Sequence, residues 1–166
     1  MTASNQKAAN PKQFVIDRTL KAAVDKVWKM WTTKPGLEKW WGPEGFTSTV
    51  LHLDVRAGGR FEIEMTATMP EIIAHLEAAG MGRSSIAKGD YTAIDVNRRL
   101  VYTNAVDFVP DVPPYTSTTV VEMSATASGG TRLIVINDVM HDEQWTAMAT
   151  MGWTQQIDKL EKLLGQ

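Results

Sequence analysis

DEQWTAMATMGWTQQIDKLEKLL, residues Asp142–Leu164, is the stretch on which the reading of the fold turns. Trp145, Met148, Ala149 or Gly152, Gln156, Leu160 and Leu163 recur at the three- and four-residue spacing of one helical face, with Trp153, Ile157 and Leu164 alongside. Asp142 can cap the start of such a helix and Gly165 can close it. The pattern predicts one long C-terminal helix whose single apolar stripe needs a broad apolar surface to lie on.

The residues before it supply that surface as strands. Residues 13–20, 46–56, 60–68, 87–95, 99–108, 115–127 and 131–138 are rich in β-forming side chains and are separated by turn-forming Gly, Asn, Pro and Ser. In 60–68 the alternation is clean, with Phe61, Ile63 and Met65 on one face and Arg60, Glu62 and Glu64 on the other. That is an antiparallel sheet with one buried and one wet face. Ala57-Gly58-Gly59 is a hairpin turn rather than a phosphate loop, because no helix follows it.

Helical patterns interrupt the strands in three places. Val24, Val27, Trp28 and Trp31 share a face over residues 22–33, which must stop near Pro35-Gly36. A short helix over 37–41 ends at Gly42-Pro43, and another over 70–80 begins at Pro70 and carries Ile72, Ile73 and Leu76. Residues 81–85 read as a flexible stretch, and 70–85 together as a lid over the open end of a cavity. Strand and helix do not alternate, which excludes a doubly wound parallel sheet. The expected fold is α+β, a single domain over 13–166 in which a curved antiparallel sheet wraps the long C-terminal helix, preceded by a flexible tail over 1–12.

Composition narrows the function classes. The chain has 166 residues, enough to bury about 70% of its unfolded surface in one core. It has no cysteine, so disulfides, thiolate metal sites and cysteine nucleophiles are excluded. With 17 basic and 19 acidic side chains and no basic stripe, nucleic acid is not an expected partner. No h-region opens the chain and no apolar run reaches the roughly eighteen residues of a membrane span, so a cytoplasmic protein with no membrane partner is expected. Six tryptophans and nine methionines suit either an ordinary core or an adaptable aromatic-lined cavity.

Chemistry-bearing motifs are scarce. His52, His75 and His141 lie on different elements without metal-ligand spacing, and no nucleophile elbow, P-loop or dinucleotide fingerprint is present, so no cofactor is expected. The inward polar positions stand out instead. Tyr102 and Asn104 share parity with Leu100 and Val106, Asn137 with Leu133 and Val135, and Tyr91 with the same face. Buried polar groups need partners, so these residues either bond each other or meet a ligand. Trp40-Trp41 before Gly42-Pro43 is either a packed corner or a ligand contact, and Gly152 lets either the sheet or a ligand approach the helix backbone. His141 is either a solvated loop histidine or an acid–base group at a pocket mouth. Ile134 and Ile136, apolar on a nominally wet face, raise a homodimer as a further expectation.

Trp40-Trp41-Gly-Pro-Glu-Gly-Phe46, Asp54-Val-Arg-Ala-Gly-Gly-Arg-Phe61 and Gly152-Trp153 together resemble the activator-of-heat-shock-protein-90-ATPase-like family, within the START-like superfamily. The resemblance runs from Phe14 to Leu164. It implies a helix-grip fold and a cavity between sheet and helix for a small apolar molecule. The candidate ligand-binding residues are Trp41, Met65, Tyr91, Tyr102, Asn104, Met123, Asn137, His141, Trp145, Met148 and Trp153. It also implies two alternatives: a co-chaperone stimulating a chaperone ATPase, and a polyketide cyclase- or hydrolase-like enzyme using Tyr91, Tyr102 or His141 as acid or base.

Overall fold

The computed structural model describes residues 12–165, so the expected N-terminal tail lies, except for Lys12, outside the described residues. Seven strands form one antiparallel sheet: β1 (Gln13–Leu20), β2 (Phe46–Leu53), β3 (Arg60–Ala67), β4 (Ser84–Asp95), β5 (Arg99–Val106), β6 (Tyr115–Ala125) and β7 (Thr131–Asp138). Their order is β1-β7-β6-β5-β4-β3-β2, a meander onto which the first strand adds beside the last. Register shifts at Val50–His52 and Tyr91–Ala93 place irregularities in β2 and β4. Extra residues of this kind increase local twist and bend a sheet.

Among the described residues four helices accompany the sheet: α1 (Val24–Thr32), α2 (Lys34–Trp40), α3 (Pro70–Ala78) and α4 (Glu143–Gly165). Thr33 sets the boundary between the first two. Its backbone N–H donates to Lys29 O at 3.2 Å, while its hydroxyl accepts from Gly36 N at 3.1 Å and so caps α2 three residues earlier than the sequence pattern suggests. Gly36 is required by close approach, because a Cβ there would lie 2.5 Å from Lys29 O and 2.8 Å from Met30 Cα. Val27, Trp28 and Trp31 of α1 and Leu37 and Trp40 of α2 all point into the core.

The inner faces of the strands carry Ile16, Leu20, Phe61, Ile63, Leu100, Val121, Leu133 and Val135, all buried. α4 lies across this concave face, and it docks by its C-terminal half. Gln156, Ile157 and Leu160 are buried, whereas none of the residues before Gln156 is. Polar contacts hold the same half. Gly42 N donates to Gln156 Oε1 at 2.9 Å, Lys159 Nζ donates to Gly42 O at 2.8 Å, and Arg18 of β1 reaches Asp158 at 2.7 Å and Glu161 at 3.0 Å. At the other end Asp142 caps the helix as expected, its Oδ1 accepting from Trp145 N at 2.7 Å.

Two expectations change. Ser84 and Ser85 do not belong to a flexible stretch: they pair with Thr66 and Met65 and extend β4. Ile136 is only 2% exposed within the single chain and pairs across β6–β7 with the buried Val120. Ile136 is therefore not the wet-face residue expected, while Ile134 on the same strand is half-buried.

The docking pattern predicts an asymmetry in stability along α4. Ile157→Ala and Leu160→Ala are each expected to cost roughly 2–5 kcal/mol of unfolding free energy. Met148→Ala, at a residue 44% exposed, is expected to cost about 0.5 kcal/mol or less. Urea unfolding of the three variants checks this, and equal losses would mean that the helix docks along its whole length.

Candidate functional site

Followed along any central strand, the inward side chains change character from one end of the sheet to the other. β5 runs Leu100, Tyr102, Asn104; β6, in the opposite chain direction, runs Met123, Val121, Thr119, Ser117; β7 runs Leu133, Val135, Asn137; β4 runs Tyr91, Gly89, Ala87, Ser85. The strand registers align these series, with Leu100 opposite Val121, Met123 opposite Leu133, Asn104 opposite Ser117 and Thr119 opposite Asn137. Large apolar groups therefore fill the sheet under the C-terminal half of α4. Small and polar groups lie under its N-terminal half, and they do not reach it.

The result is a cavity of about 750 Å3. One wall is a single face of α4, made of Trp145, Met148, Ala149, Gly152, Trp153 and Gln156. The sheet contributes Phe14, Met65, Ala87, Asn104, Ser117 and Asn137, and the corner after α2 contributes Trp41, Pro43 and Phe46. His75, Leu76 and Ala79 of α3 and its C-cap, with residues 80–83 behind them, cover one side. α3 buries none of its own residues. Ile86, Phe108 and Met148 line the cavity while remaining exposed, so it is open to solvent. Gly152 does not serve close packing against the sheet: a Cβ there would meet nothing nearer than Pro43 at 4.0 Å.

Aromatic rings brace the site. Trp153 stacks on Trp31 at 6.0 Å and meets the edge of Trp41 at 6.0 Å, while Trp31 and Trp40 lie 4.5 Å apart. Below them a polar ladder crosses three strands. Asn104 Nδ2 donates to Ser117 O at 3.3 Å and to Thr119 Oγ1 at 2.9 Å, and the Thr119 hydroxyl donates to Asn137 Oδ1 at 2.6 Å. Asn137 Nδ2 is buried with no hydrogen-bond partner among the described residues.

Of the residues expected from the sequence, Trp41, Met65, Asn104, Asn137, Trp145, Met148 and Trp153 line this cavity. Tyr91, Tyr102 and Met123 have the expected inward parity but lie at the filled end. The two tyrosines pack on Phe61 at 5.4 and 5.2 Å, around a void of only about 10 Å3. Burial pushes both phenols up, so they stay protonated at neutral pH. Met123 is buried opposite Leu133. His141 stands outside, its Nδ1 2.8 Å from the Tyr115 hydroxyl and its ring 5.7 Å from Trp145. Phe14, Pro43, Phe46 and Ser117 were not expected at the site. The size gradient along the strands is the signal that points to Ser117, and Phe14 shares the inward parity of Ile16.

Among the described residues no group of three or more His, Asp or Glu side chains could hold a metal ion, and no helix is long and apolar enough to cross a membrane. A comparison with curated proteins found no match. Solved structures resemble most of the chain. A Chromobacterium violaceum protein, CV1439, is 23% identical with a TM-score of 0.74, covering 95% of this chain and 99% of its own. A Nitrosomonas europaea protein, NE0264, is 28% identical with a TM-score of 0.68, covering 91% and 92%. The AHSA1 protein of Silicibacter pomeroyi is 20% identical with a TM-score of 0.68, covering 90% and 95%. The profile of one family, described as Activator of Hsp90 ATPase homolog 1-like protein, matches residues 21–165. With its helix-grip sheet, its Trp-Trp-Gly-Pro corner and that match over most of its length, the chain belongs to the Activator of Hsp90 ATPase homolog 1-like family.

Proposed function

We propose that the protein binds a small, largely apolar molecule in the cavity between α4 and the sheet. The observation that carries this is the face Trp145–Met148–Ala149–Gly152–Trp153–Gln156, which looks into about 750 Å3 of open volume where an ordinary helix would rest on side chains. That volume falls in the range of roughly 300–1,000 Å3 typical of small-molecule sites, which are mainly apolar with a few oriented polar groups. Tyr91, Tyr102 and His141, the acid–base candidates of the enzyme alternative, are not among the lining side chains.

α3 and residues 79–83 act in this reading as a lid. The helix has nine residues, buries none of them and lines the cavity through His75 and Leu76. Helices this short are marginal in water without tertiary support. A ligand beneath Leu76 would supply that support.

Gly152 gives a direct test. Gly152→Ala is expected to stabilise the fold by about 1 kcal/mol through helix propensity, since the added methyl meets only Pro43 at 4.0 Å. Gly152→Leu is expected to leave the fold intact and weaken binding of the neutral dye Nile red by about tenfold or more, a change of roughly 1.4 kcal/mol. Fluorescence titration measures it, and unchanged affinity would sink the cavity reading. Native mass spectrometry of gently purified protein is expected to show a co-purifying small molecule.

Hydrogen exchange tests the lid separately. The amides of residues 70–83 are expected to exchange quickly in the free protein and to slow when Nile red is bound. Slow exchange that the dye does not alter would identify a rigid rim instead.

A further inference from the structure

The polar ladder says what kind of apolar molecule the cavity suits. Its polarity is set from one end. Ser117 O is a carbonyl and can only accept, so the amide group of Asn104 that faces it is the Nδ2 donor. The same nitrogen reaches Thr119 Oγ1, which leaves the threonine proton for Asn137 Oδ1. The 2.6 Å separation is that of an O–H···O bond rather than an N–H···O bond. Asn137 must then turn its Nδ2 away from Thr119. Asn137 is 5% exposed, lines the cavity, and has no acceptor for that nitrogen among the described residues.

The surplus is one of donors. The Tyr102 hydroxyl, on the strand beside Thr119 and opposite it in register, is buried against the Thr119 side chain. Burial raises its pKa, so it too offers a proton. The unmatched donor of Asn137 lies where the packed half of the sheet gives way to the cavity. Buried donors left unmade are costly, and an incoming oxygen relieves that cost. The wall next to Asn137 is Asp138, whose Oδ2 accepts from Thr118 N at 2.9 Å. A carboxylate placed at Asn137 itself would face like charge, whereas the cavity's cations, Arg83 and Lys88, stand three strands away on and just before β4, with Lys88 paired to Asp107 at 3.1 Å.

Building on the cavity reading, we propose that the ligand is an apolar molecule bearing a neutral carbonyl oxygen, as in a ketone, ester or amide, which accepts a hydrogen bond from Asn137 Nδ2. The ladder of Asn104 and Thr119 positions that donor, and the α4 face and the tryptophans hold the apolar body.

Benzophenone and diphenylmethane are a matched pair of probes that differ only by a carbonyl in place of a methylene. Isothermal titration of the wild-type chain is expected to show benzophenone binding about three- to tenfold more tightly, the worth of one net hydrogen bond. The infrared carbonyl stretch of bound benzophenone is expected at lower frequency than in hexane, a measurement that needs no variant. Asn137→Leu is expected to abolish the preference while leaving diphenylmethane affinity equal or greater. Equal binding of the two probes with an unshifted carbonyl band overturns the proposal and leaves the cavity reading standing. A preference that survives in a folded Asn137→Leu chain also overturns it. Binding of neither probe overturns both.

Discussion

Everything distinctive about this molecule follows from a mismatch of size along one helix. α4 spans the concave sheet from end to end, but the sheet's inward side chains are large only beneath its last turns. Close packing of Ile157 and Leu160 fixes the distance between helix and sheet, because well-packed interiors tolerate neither gaps nor overlap. Once that distance is set, Asn104, Ser117 and Asn137 are too short to close the remaining space under Trp145 and Met148. The cavity is therefore a geometric consequence of docking one long helix on a sheet whose side chains shrink along its length.

The corner after α2 keeps the helix at that height. Trp40 is fully buried and its Nε1 donates to Met30 O at 2.8 Å, and Trp41 is held through its carbonyl, which accepts from Ser48 Oγ at 2.6 Å. Gly42 follows at φ +94, a backbone conformation that favours glycine, and presents both its N–H and its C=O to α4. The buried amide of Gln156 and the half-buried ammonium of Lys159 answer these two groups in turn. Burial lowers the pKa of Lys159, so its single strong hydrogen bond to Gly42 O is made at some desolvation cost. With Trp153 packed between Trp31 and Trp41, the corner both anchors the helix and forms one end of the cavity. The choice posed by the Trp-Trp-Gly-Pro sequence, packed corner or ligand contact, thus resolves by side chain: Trp40 is core, while Trp41 faces core and cavity together.

Periodicity was enough for the architecture. β1 and β7 run where alternation places them, since their side chains obey a simple inside-outside rule and turn residues bound them closely. β2 ends at Leu53 instead of continuing to Arg56, because Asp54 N turns to donate to Arg60 O and begins the hairpin there. For the site, parity identified the correct face at Asn104 and Asn137 but could not tell how far along the strand the packed core extends. Tyr91, Tyr102 and Met123 have the same parity and lie at the filled end. Depth along a sheet depends on which end of α4 is docked, and that is settled by long-range partners such as Arg18 with Asp158. The amphipathic pattern of α4 is uniform over its length and carries no mark of which half is which.

The empty half has an energetic consequence that ties stability to occupancy. Ile157 and Leu160 sit among partners, whereas Met148 is left exposed on the cavity face of the same helix, and Asn137 keeps a buried donor unmatched. An unsatisfied buried polar group costs on the order of 1–3 kcal/mol. The half-empty apolar cavity forfeits dispersion contacts that the same residues would make in a filled core. Native proteins have margins of only about 5–15 kcal/mol, so these losses are a sizeable share of what holds the domain together. A molecule that fills the space and meets the donor binds only the folded form, and it therefore adds stability in proportion to RT ln(1 + [L]/Kd). α3 lies over that space with no buried residue of its own, which is why the proposed lid role falls to it. On the proposed reading, filling the cavity, completing the hydrogen-bond ladder and ordering α3 would be one coupled event rather than three.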